Sequence, residues 1–227
     1  MNDSEKFKAL FHLHHHKIQP VVPPGFCVNL NLSVENPDLE ALLKCPGQGF
    51  EKYLHQQFSS NNVDYLVGGY LENRSIYKKY DLFQKGQPRS IHLGVDIWAS
   101  ADTPVFAPLD AAIHSFASNN SPGDYGTTLV LKHQFETVEF YTLYGHLRAF
   151  EIKSWDPGKI VKAGEYVARV GDYPENGNWP PHLHFQIILD MQQNYGDFPG
   201  VCNRNEMTEF ERNCPDPMLL LQKIIKK

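Results

Sequence analysis

The sequence lacks a long apolar run and an excess of positive charge, and each absence excludes a class of protein. None of its 227 residues falls in a window that approaches the ~20 apolar residues of a membrane-spanning helix. Asp and Glu (26) outnumber Lys and Arg (21), for a formal net charge of −5. Dedicated nucleic-acid-binding proteins usually carry a basic excess instead. We therefore expect neither a membrane span nor a nucleic-acid partner.

Export signals and cysteine pairs are also scarce. The start of the chain, MNDSEKFKALFHLHHHKIQP, has neither the uninterrupted apolar stretch nor the small-residue cleavage site of a secretory signal. As written, the sequence predicts a cytoplasmic protein, and export by another route stays open. The four cysteines, Cys27, Cys45, Cys202 and Cys214, form no Cys-x-x-Cys pair. In a reducing compartment they predict free or buried thiols rather than a disulfide such as Cys202–Cys214.

The composition and the residue spacing indicate a turn-rich β protein with an N-terminal extension. Sixteen Gly, sixteen Pro and 12% aromatic residues favour short strands over a helical bundle. Residues 1–85 differ from the rest, because 35–45 and 48–58 have helical spacing and 63–72 reads as a strand with a glycine kink. We predict a partly helical extension over 1–85, packed on a main domain over 86–227.

The main domain reads as a succession of strands. Residues 91–99 form one predicted strand, 127–134 and 138–146 form a predicted pair, and HLHFQIIL (182–189) ends the β region. Nothing here has βαβ spacing, so a mainly antiparallel sheet within an α+β chain is expected. The tail, CPDPMLLLQKIIKK (214–227), predicts a short amphipathic C-terminal helix.

Two histidine motifs in this domain indicate a metal site. On a strand, His182 and His184 share a face, about 6.6 Å apart along the chain, while Leu183 points to the core. His92 and Asp96 would be roughly 13 Å apart on a straight strand, so the chain must bend between them, and Gly94 lies at the midpoint. One His, one carboxylate and a second, distant His are a ligand set that zinc favours, with a fourth position left for water. His146, which ends the strand after Gly145, is a candidate proton acceptor.

Together the motifs HLGVD, APLDAAI, TLYGHL, GKIVKAGEYVARVG and PHLHFQ, between residues 90 and 189, resemble the zinc metallopeptidases of the M23 (lysostaphin/LytM) family. The resemblance implies an antiparallel sheet or sandwich of the duplicated hybrid motif type. It also implies His92, Asp96 and His184 as zinc ligands and His146 and His182 as catalytic histidines. The expected activity is hydrolysis of peptide bonds by a zinc-activated water with a histidine base. The expected substrate is a peptidoglycan cross-link or a related glycine- or alanine-containing peptide.

The sequence resembles one subgroup of this family more closely. The stretches NGNWPPHLHFQ, DFPG and CPDP resemble the M23-like module that is fused to aminotransferase-like domains in some large bacterial proteins, here in a stand-alone form. The chain departs from the common family pattern at Asp102, at Ala111 and in the long, bulky approach GDYPENGNWPP (171–181). Substrate choice is the property that these departures affect most.

Other functions are compatible with parts of the pattern. A phosphocarrier of similar β architecture has a His-x-Gly-x-Asp stretch, a lipoyl-like carrier has a lysine at a turn such as Lys162, and a binding module could keep an idle zinc site. The remaining polar residues have structural interpretations. The N-terminal HLHHH lacks an acidic partner at ligand spacing, and His55, His114, His133, Asp110 and Asp124 are expected in surface, strand or turn roles. Tyr125 and Tyr144 could reach the cleft, but strand aromatics are more often core residues.

Overall fold

The computed structural model describes residues 3–44, 49–221 and 225–226. In this part of the chain the α-helices are Asp3–His14 (α1), Pro37–Leu43 (α2), Gly49–Asn61 (α3) and Met207–Asn213 (α4). Short 3-10 helices lie at His15–Lys17, Ser75–Lys79, Asp81–Phe83, Ala149–Ser154 and Pro217–Leu219. The strands, in chain order, are Phe26–Leu30 (β1), Tyr65–Gly68 (β2), Ile91–His92 (β3), Val95–Trp98 (β4), Pro104–Phe106 (β5), Ala111–Asn119 (β6), Gly126–Phe135 (β7), Val138–Leu147 (β8), Ile160–Val161 (β9), Tyr166–Arg169 (β10), His182–Ile188 (β11), Val201–Cys202 (β12) and Ile225–Lys226 (β13). None of the described helices is both long and apolar enough to cross a bilayer.

One large sheet organises the molecule. Its strand order is β13-β1-β2-β4-β11-β8-β7-β6-β9, and every pair from β2 to β9 is antiparallel. Two small antiparallel sheets, β10-β5 and β12-β3, accompany it. The expected mainly antiparallel fold with a few helices is therefore confirmed. The predicted partners β7 and β8 do pair, with Phe135 opposite Val138 at the turn.

The predicted extension contributes strands to the same sheet. Strand β1 runs parallel to both β2 and β13, and β2 in turn lies antiparallel to β4. Parallel neighbours need a crossover connection, which α2 and α3 supply between β1 and β2. Helix α2 begins after the Asn36 cap, whose Oδ1 accepts hydrogen bonds from the backbone N–H groups of Asp38 and Leu39.

The N-terminal helix is held by aromatic packing on the sheet. The Phe7 ring lies edge-on to Phe140, with centroids 5.0 Å apart, and Phe11 stacks on Phe135 at 5.1 Å. Helix α1 therefore packs on the β7–β8 hairpin through these two phenylalanines, while the histidines of HLHHH lie on or near the surface.

Two predicted elements are corrected by the structure. Residues 91–99 form two strands rather than one, because β3 pairs with β12 while β4 pairs with β11 and β2. The short helix near the C-terminus is α4, which precedes the predicted tail. Within the tail, Asp216 caps only the 3-10 helix Pro217–Leu219, and β13 follows as a strand. Leu219, Leu220 and Leu221 are all buried, so this stretch has no polar face for an amphipathic helix to expose.

The thiols of Cys202 and Cys214 are free and buried, as expected, and form no disulfide. Burial raises the pKa of Cys202 to about 11 and that of Cys214 to about 12, so both are protonated near neutral pH. Cys27 is also buried, and Cys45 lies outside the described residues.

Candidate metal centre

The central strand β11 separates the core from a polar site. Leu183, Phe185 and Ile187 point into the main hydrophobic cluster, so His182 and His184 point to the opposite face. On the neighbouring strand β4, Asp96 lies directly opposite His184 in the register. His92, at the end of β3, approaches the same point because the chain turns between the two strands.

Three side chains converge closely at this point. The ligand-type atoms of His92, Asp96 and His184 all lie within 4.8 Å of one another. His92 Nε2 is 3.0 Å from His184 Nδ1 and 3.2 Å from Asp96 Oδ1, and His184 Nδ1 is 3.1 Å from the same oxygen. Ligand bonds of 2.0–2.1 Å in a tetrahedral zinc site imply ligand–ligand separations of about 3.3 Å. The triangle therefore has the size that a zinc ion requires.

Hydrogen bonds behind the two imidazoles assign their tautomers. His92 Nδ1 donates to the carbonyl oxygen of Gly69 at 3.0 Å. His184 Nε2 donates to Gln186 Oε1 at 3.0 Å, and the Gln186 amide nitrogen donates in turn to Pro199 O at 3.1 Å. His92 Nε2 and His184 Nδ1 are therefore the ring nitrogens that face Asp96 Oδ1, and outer partners of this kind are typical of metal-binding histidines.

The electrostatics favour a neutral His92 ring and an ionised Asp96 carboxylate. Burial, assisted by the nearby Arg74 charge, lowers the pKa of His92 to about 4, so the ring is neutral at pH 7. Burial alone would raise the pKa of Asp96, but His92 and Arg74 hold it well below its usual range. Because His92 is neutral at pH 7, Arg74 is the charged partner that keeps Asp96 ionised there.

Gly94 permits the close packing of this centre. A Cβ atom at this position would lie 2.5 Å from His184 Cε1 and 2.8 Å from the backbone oxygen of Phe185. The expected bend between His92 and Asp96 does occur at residues 93–94. Gly94 is required there because the imidazole of His184 occupies the space of a side chain.

His146 and His182 lie beside the three converging residues. Their rings are 4.1 Å apart, and His182 Nε2 is 3.9 Å from Asp96 Oδ1. His146 Nδ1 donates to Asn176 O, and His182 Nδ1 donates to Pro180 O, both at 2.8 Å. Each ring therefore keeps an unprotonated Nε2. Burial lowers the pKa of His182 to about 4, and burial together with His182 and His184 holds that of His146 well below its usual range.

A distortion of strand β8 directs the His146 side chain. The register between β7 and β8 shifts between Thr127 and Leu129, so Gly145 and His146 form a bulge. His146 has a φ of 62°, in the left-handed region that non-glycine residues avoid. The strained backbone is held by two hydrogen bonds of 2.7 Å, from His146 N to Tyr125 O and from Gly171 N to His146 O.

The five histidine and aspartate side chains border a small aromatic cavity of about 210 Å³. Each of the five is at most 5% exposed. The Trp98 ring stacks on His182 with centroids 4.0 Å apart, and Trp179 lies edge-on to the same histidine at 6.2 Å. Tyr77 and Phe50, both from the predicted extension, also line the cavity.

Sequence reasoning missed part of this site. Arg74 and Tyr77 lie in the predicted extension, where no motif singled them out, and yet both line the cavity. Tyr125 reaches the site, with its ring 5.0 Å from that of His184 and its hydroxyl 3.5 Å from His184 Nε2. Tyr144 is a core residue that packs against Phe185.

The other singled-out histidines have structural surroundings. The His133 ring stacks on Phe140 at 4.7 Å and bonds Asp110 O and Thr142 Oγ1. His114 lies edge-on to Tyr141 at 5.1 Å. Within the described residues, the His92, Asp96 and His184 group is the one cluster with metal-ligand spacing.

A mainly antiparallel sheet thus brings two histidines and one aspartate together on its polar face, in a group with metal-ligand spacing. Residues 90–195, a little under half of the chain, match the model of Peptidase family M23.

Several known proteins are similar to part of the chain. A Haemophilus influenzae protein named "Uncharacterized metalloprotease" is 35% identical over 99 residues, which are 44% of this chain and 19% of that protein. The chain thus spans about a fifth of the length of this curated relative. A zinc-containing peptidase from Vibrio cholerae is 27% identical, with 43% of this chain and 27% of that chain covered and a TM-score of 0.36. The lysostaphin catalytic domain from Staphylococcus simulans is 24% identical, with 54% and 80% covered and a TM-score of 0.38.

Proposed function

We propose that the protein is a zinc-dependent metalloendopeptidase in which His92, Asp96 and His184 hold the ion. The observation that carries this proposal is the triangle of three ligand-type atoms, two imidazole nitrogens and one carboxylate oxygen, 3.0–3.2 Å apart. Nitrogen and carboxylate oxygen donors suit zinc, and three protein ligands leave a position open, as catalytic zinc sites do.

Bound zinc would supply Lewis acidity, which lowers the pKa of water and polarises a carbonyl group. The chain's own residues would move the protons. Nε2 of His146 or of His182 accepts a proton from the attacking water, because both rings are neutral and keep Nδ1 engaged with backbone carbonyls. The imidazolium formed in this way stabilises the oxyanion and then protonates the leaving amine.

The proposed substrate is a peptide with small residues at the scissile bond, such as a peptidoglycan cross-link or a related glycine- or alanine-containing peptide. The resemblance to lysostaphin-type enzymes supports this class. The cavity of about 210 Å³ supports it independently, because it is smaller than the ~300–1,000 Å³ of ordinary ligand pockets. Trp179 and Tyr77 line this cavity and would limit the size of side chains next to the cleaved bond.

The carrier alternatives have less support. A phosphocarrier needs a histidine nitrogen that is free to take a phosphoryl group, but His92 Nδ1 is bonded to Gly69 O and its Nε2 faces Asp96 and His184. A lipoyl-like carrier needs a free lysine at a turn, whereas Lys162 Nζ lies 3.0 Å from Asp110 Oδ2. The experiment below distinguishes an enzyme from a module that binds zinc but does not catalyse hydrolysis.

The test combines metal analysis with hydrolysis. Zinc content of the purified full chain is measured by mass spectrometry, and turnover is followed on glycine- and D-alanine-containing peptides. We expect about one zinc per chain, metal-dependent cleavage, and loss of most activity in His146→Ala and His182→Ala. General acid–base groups contribute typically ~10²–10⁴-fold.

His114→Ala is the matched control, since it removes a partly buried histidine that contacts Tyr141 away from the site. It should cleave like wild type. Stoichiometric zinc with equal background hydrolysis by wild type and all variants would identify an idle metal-binding module. A chain without zinc that accepts phosphate from a phosphohistidine donor would identify a carrier.

A further inference from the structure

Arg74 is a buried cation that contacts the metal centre from outside the matched family domain. It lies in the loop before the 3-10 helix Ser75–Lys79 and is only 2% exposed. Its Nη1 lies 2.5 Å from Asp96 Oδ2 and 3.2 Å from the Tyr77 hydroxyl. Its Nε lies 2.7 Å from Glu72 Oε2, and its Nη2 is 3.4 Å from Gly69 O. Because all three of its nitrogens are hydrogen-bonded, the guanidinium is held in one orientation.

The contact divides the two oxygens of Asp96 between two partners. Oδ2 accepts from Arg74, whereas Oδ1 faces His92 Nε2 at 3.2 Å and His184 Nδ1 at 3.1 Å. A carboxylate rotates readily about its terminal torsion. The Arg74 bond removes that freedom and leaves one oxygen directed at the metal position.

Glu72 holds Arg74 in turn. Its Oε2 accepts from Arg74 Nε, and its Oε1 accepts from the backbone N–H of Leu32 at 2.8 Å. A buried arginine is tolerated only when its charge and hydrogen bonds are matched. Two carboxylates, one on each side of the guanidinium, provide that match.

The same segment also supports His92. The carbonyl of Gly69 accepts the His92 Nδ1–H bond. The backbone N–H of His92 donates to Glu72 O at 3.0 Å, and Leu71 N donates to His92 O at 2.8 Å. Residues 69–77 therefore orient two of the three converging side chains, although they precede the matched domain, which begins at residue 90.

We propose that Arg74 is a positioning residue that directs Asp96 Oδ1 at the metal, and that residues 69–77 are an integral part of the metal centre. This inference rests on the proposed zinc site. It assigns a role to part of the N-terminal extension, which would then be needed for metal binding itself.

The experiment compares zinc affinity and cobalt spectra of full-length variants. Zinc dissociation constants are measured by competition with a chromophoric chelator, and the visible absorption bands of the Co²⁺-substituted protein report on the coordination sphere. Arg74→Gln should weaken zinc binding by about 10–100-fold, the usual effect of losing an outer partner of a ligand, and should change the Co²⁺ bands. Arg74→Lys keeps the positive charge but not the planar set of donors. Its zinc affinity should therefore lie between those of Arg74→Gln and wild type.

Arg148→Gln is the matched control. Arg148 also bridges two carboxylates, Asp102 at 2.7 Å and Glu175 at 2.8 Å, but it touches none of the three ligand-type residues. It should keep wild-type affinity and spectrum. Unchanged affinity and spectrum in both Arg74 variants would overturn the proposal, and if Arg74→Gln does not fold, Arg74→Lys alone decides in the same way. A wild-type chain that binds no zinc would instead overturn the proposed function, and this inference with it.

Discussion

Replacing Gly94 by alanine tests the packing of the metal centre directly. The added methyl group would lie 2.5 Å from His184 Cε1, 2.6 Å from His184 Nε2 and 2.8 Å from the backbone oxygen of Phe185. Heavy atoms in contact normally lie about 3.5–4.0 Å apart. The ring cannot simply turn aside, because Gln186 holds its Nε2 and strand β11 holds the backbone behind it.

The expected cost follows from this overlap. Forcing an extra methyl group into a packed interior costs about 1–3 kcal/mol. For a chain of this size 1 kcal/mol corresponds to about 2–4 °C in Tm, so the metal-free variant should melt about 2–12 °C lower than the metal-free wild type. Any movement that relieves the clash shifts His184 Nδ1 away from His92 and Asp96. Zinc affinity should therefore fall as well.

The assay is thermal unfolding by circular dichroism in the presence of chelator, followed by zinc titration. His114→Ala is the control for zinc binding, because this partly buried histidine contacts Tyr141 away from the site. We expect that control to bind zinc like wild type. A Gly94→Ala protein that melts and binds zinc like wild type would refute the tight packing of His184 against this turn.

Three further predictions concern pH, a structural histidine and metal removal. Because burial lowers the pKa of His182 to about 4, its proton-accepting form persists well below pH 6.5. On the acid side, kcat/KM should therefore decline only as the pH approaches about 4. A decline with its midpoint at or above the ordinary pKa of histidine would contradict this prediction. His133→Ala should lower the free energy of unfolding by about 1–3 kcal/mol, because the Thr142 hydroxyl loses one of its two buried partners and the ring stack on Phe140 is lost. Zinc stoichiometry should not change, and a loss of zinc would show that His133 is more than structural. Chelation should lower Tm and added zinc should restore it with a concentration dependence, about 2.7 kcal/mol at a hundredfold excess over Kd. His184→Ala should abolish that dependence, and a zinc response in this variant would argue for a different site.

Local pattern predicted much of the secondary structure. The helical spacing over 35–45, the β7–β8 pairing and the alternation along β11 each depend on neighbouring residues, and each is found. Over its described residues the predicted C-terminal helix is replaced by the 3-10 helix Pro217–Leu219 and by β13, and residues 222–224 and 227 lie outside the described part of the chain. The parallel pairing of β1 with β2 was missed because it depends on the crossover through α2 and α3 and not on any local signal.

The side chains of the candidate site also fall into those that the sequence predicted and those that it did not. The spacing His92-x-x-x-Asp96 and the pair His182-x-His184 indicated the residues, since ligand types and the two-residue repeat of a strand can be read from the chain. Nothing in the sequence around Arg74 marked it. Its role depends on a contact with Asp96 across 22 residues, made possible by burial between Glu72 and Tyr77.

The order of residue types along the chain determined which chemistry is available, the strand content and the choice of histidines and aspartate. Only the tertiary structure decided the tautomer that each imidazole adopts, which oxygen of Asp96 faces the histidines, and that residues 69–77 support the centre. These properties arise from hydrogen bonds between segments that are distant in the sequence. The geometry of these bonds is set only when the strands have assembled and water is excluded from the site.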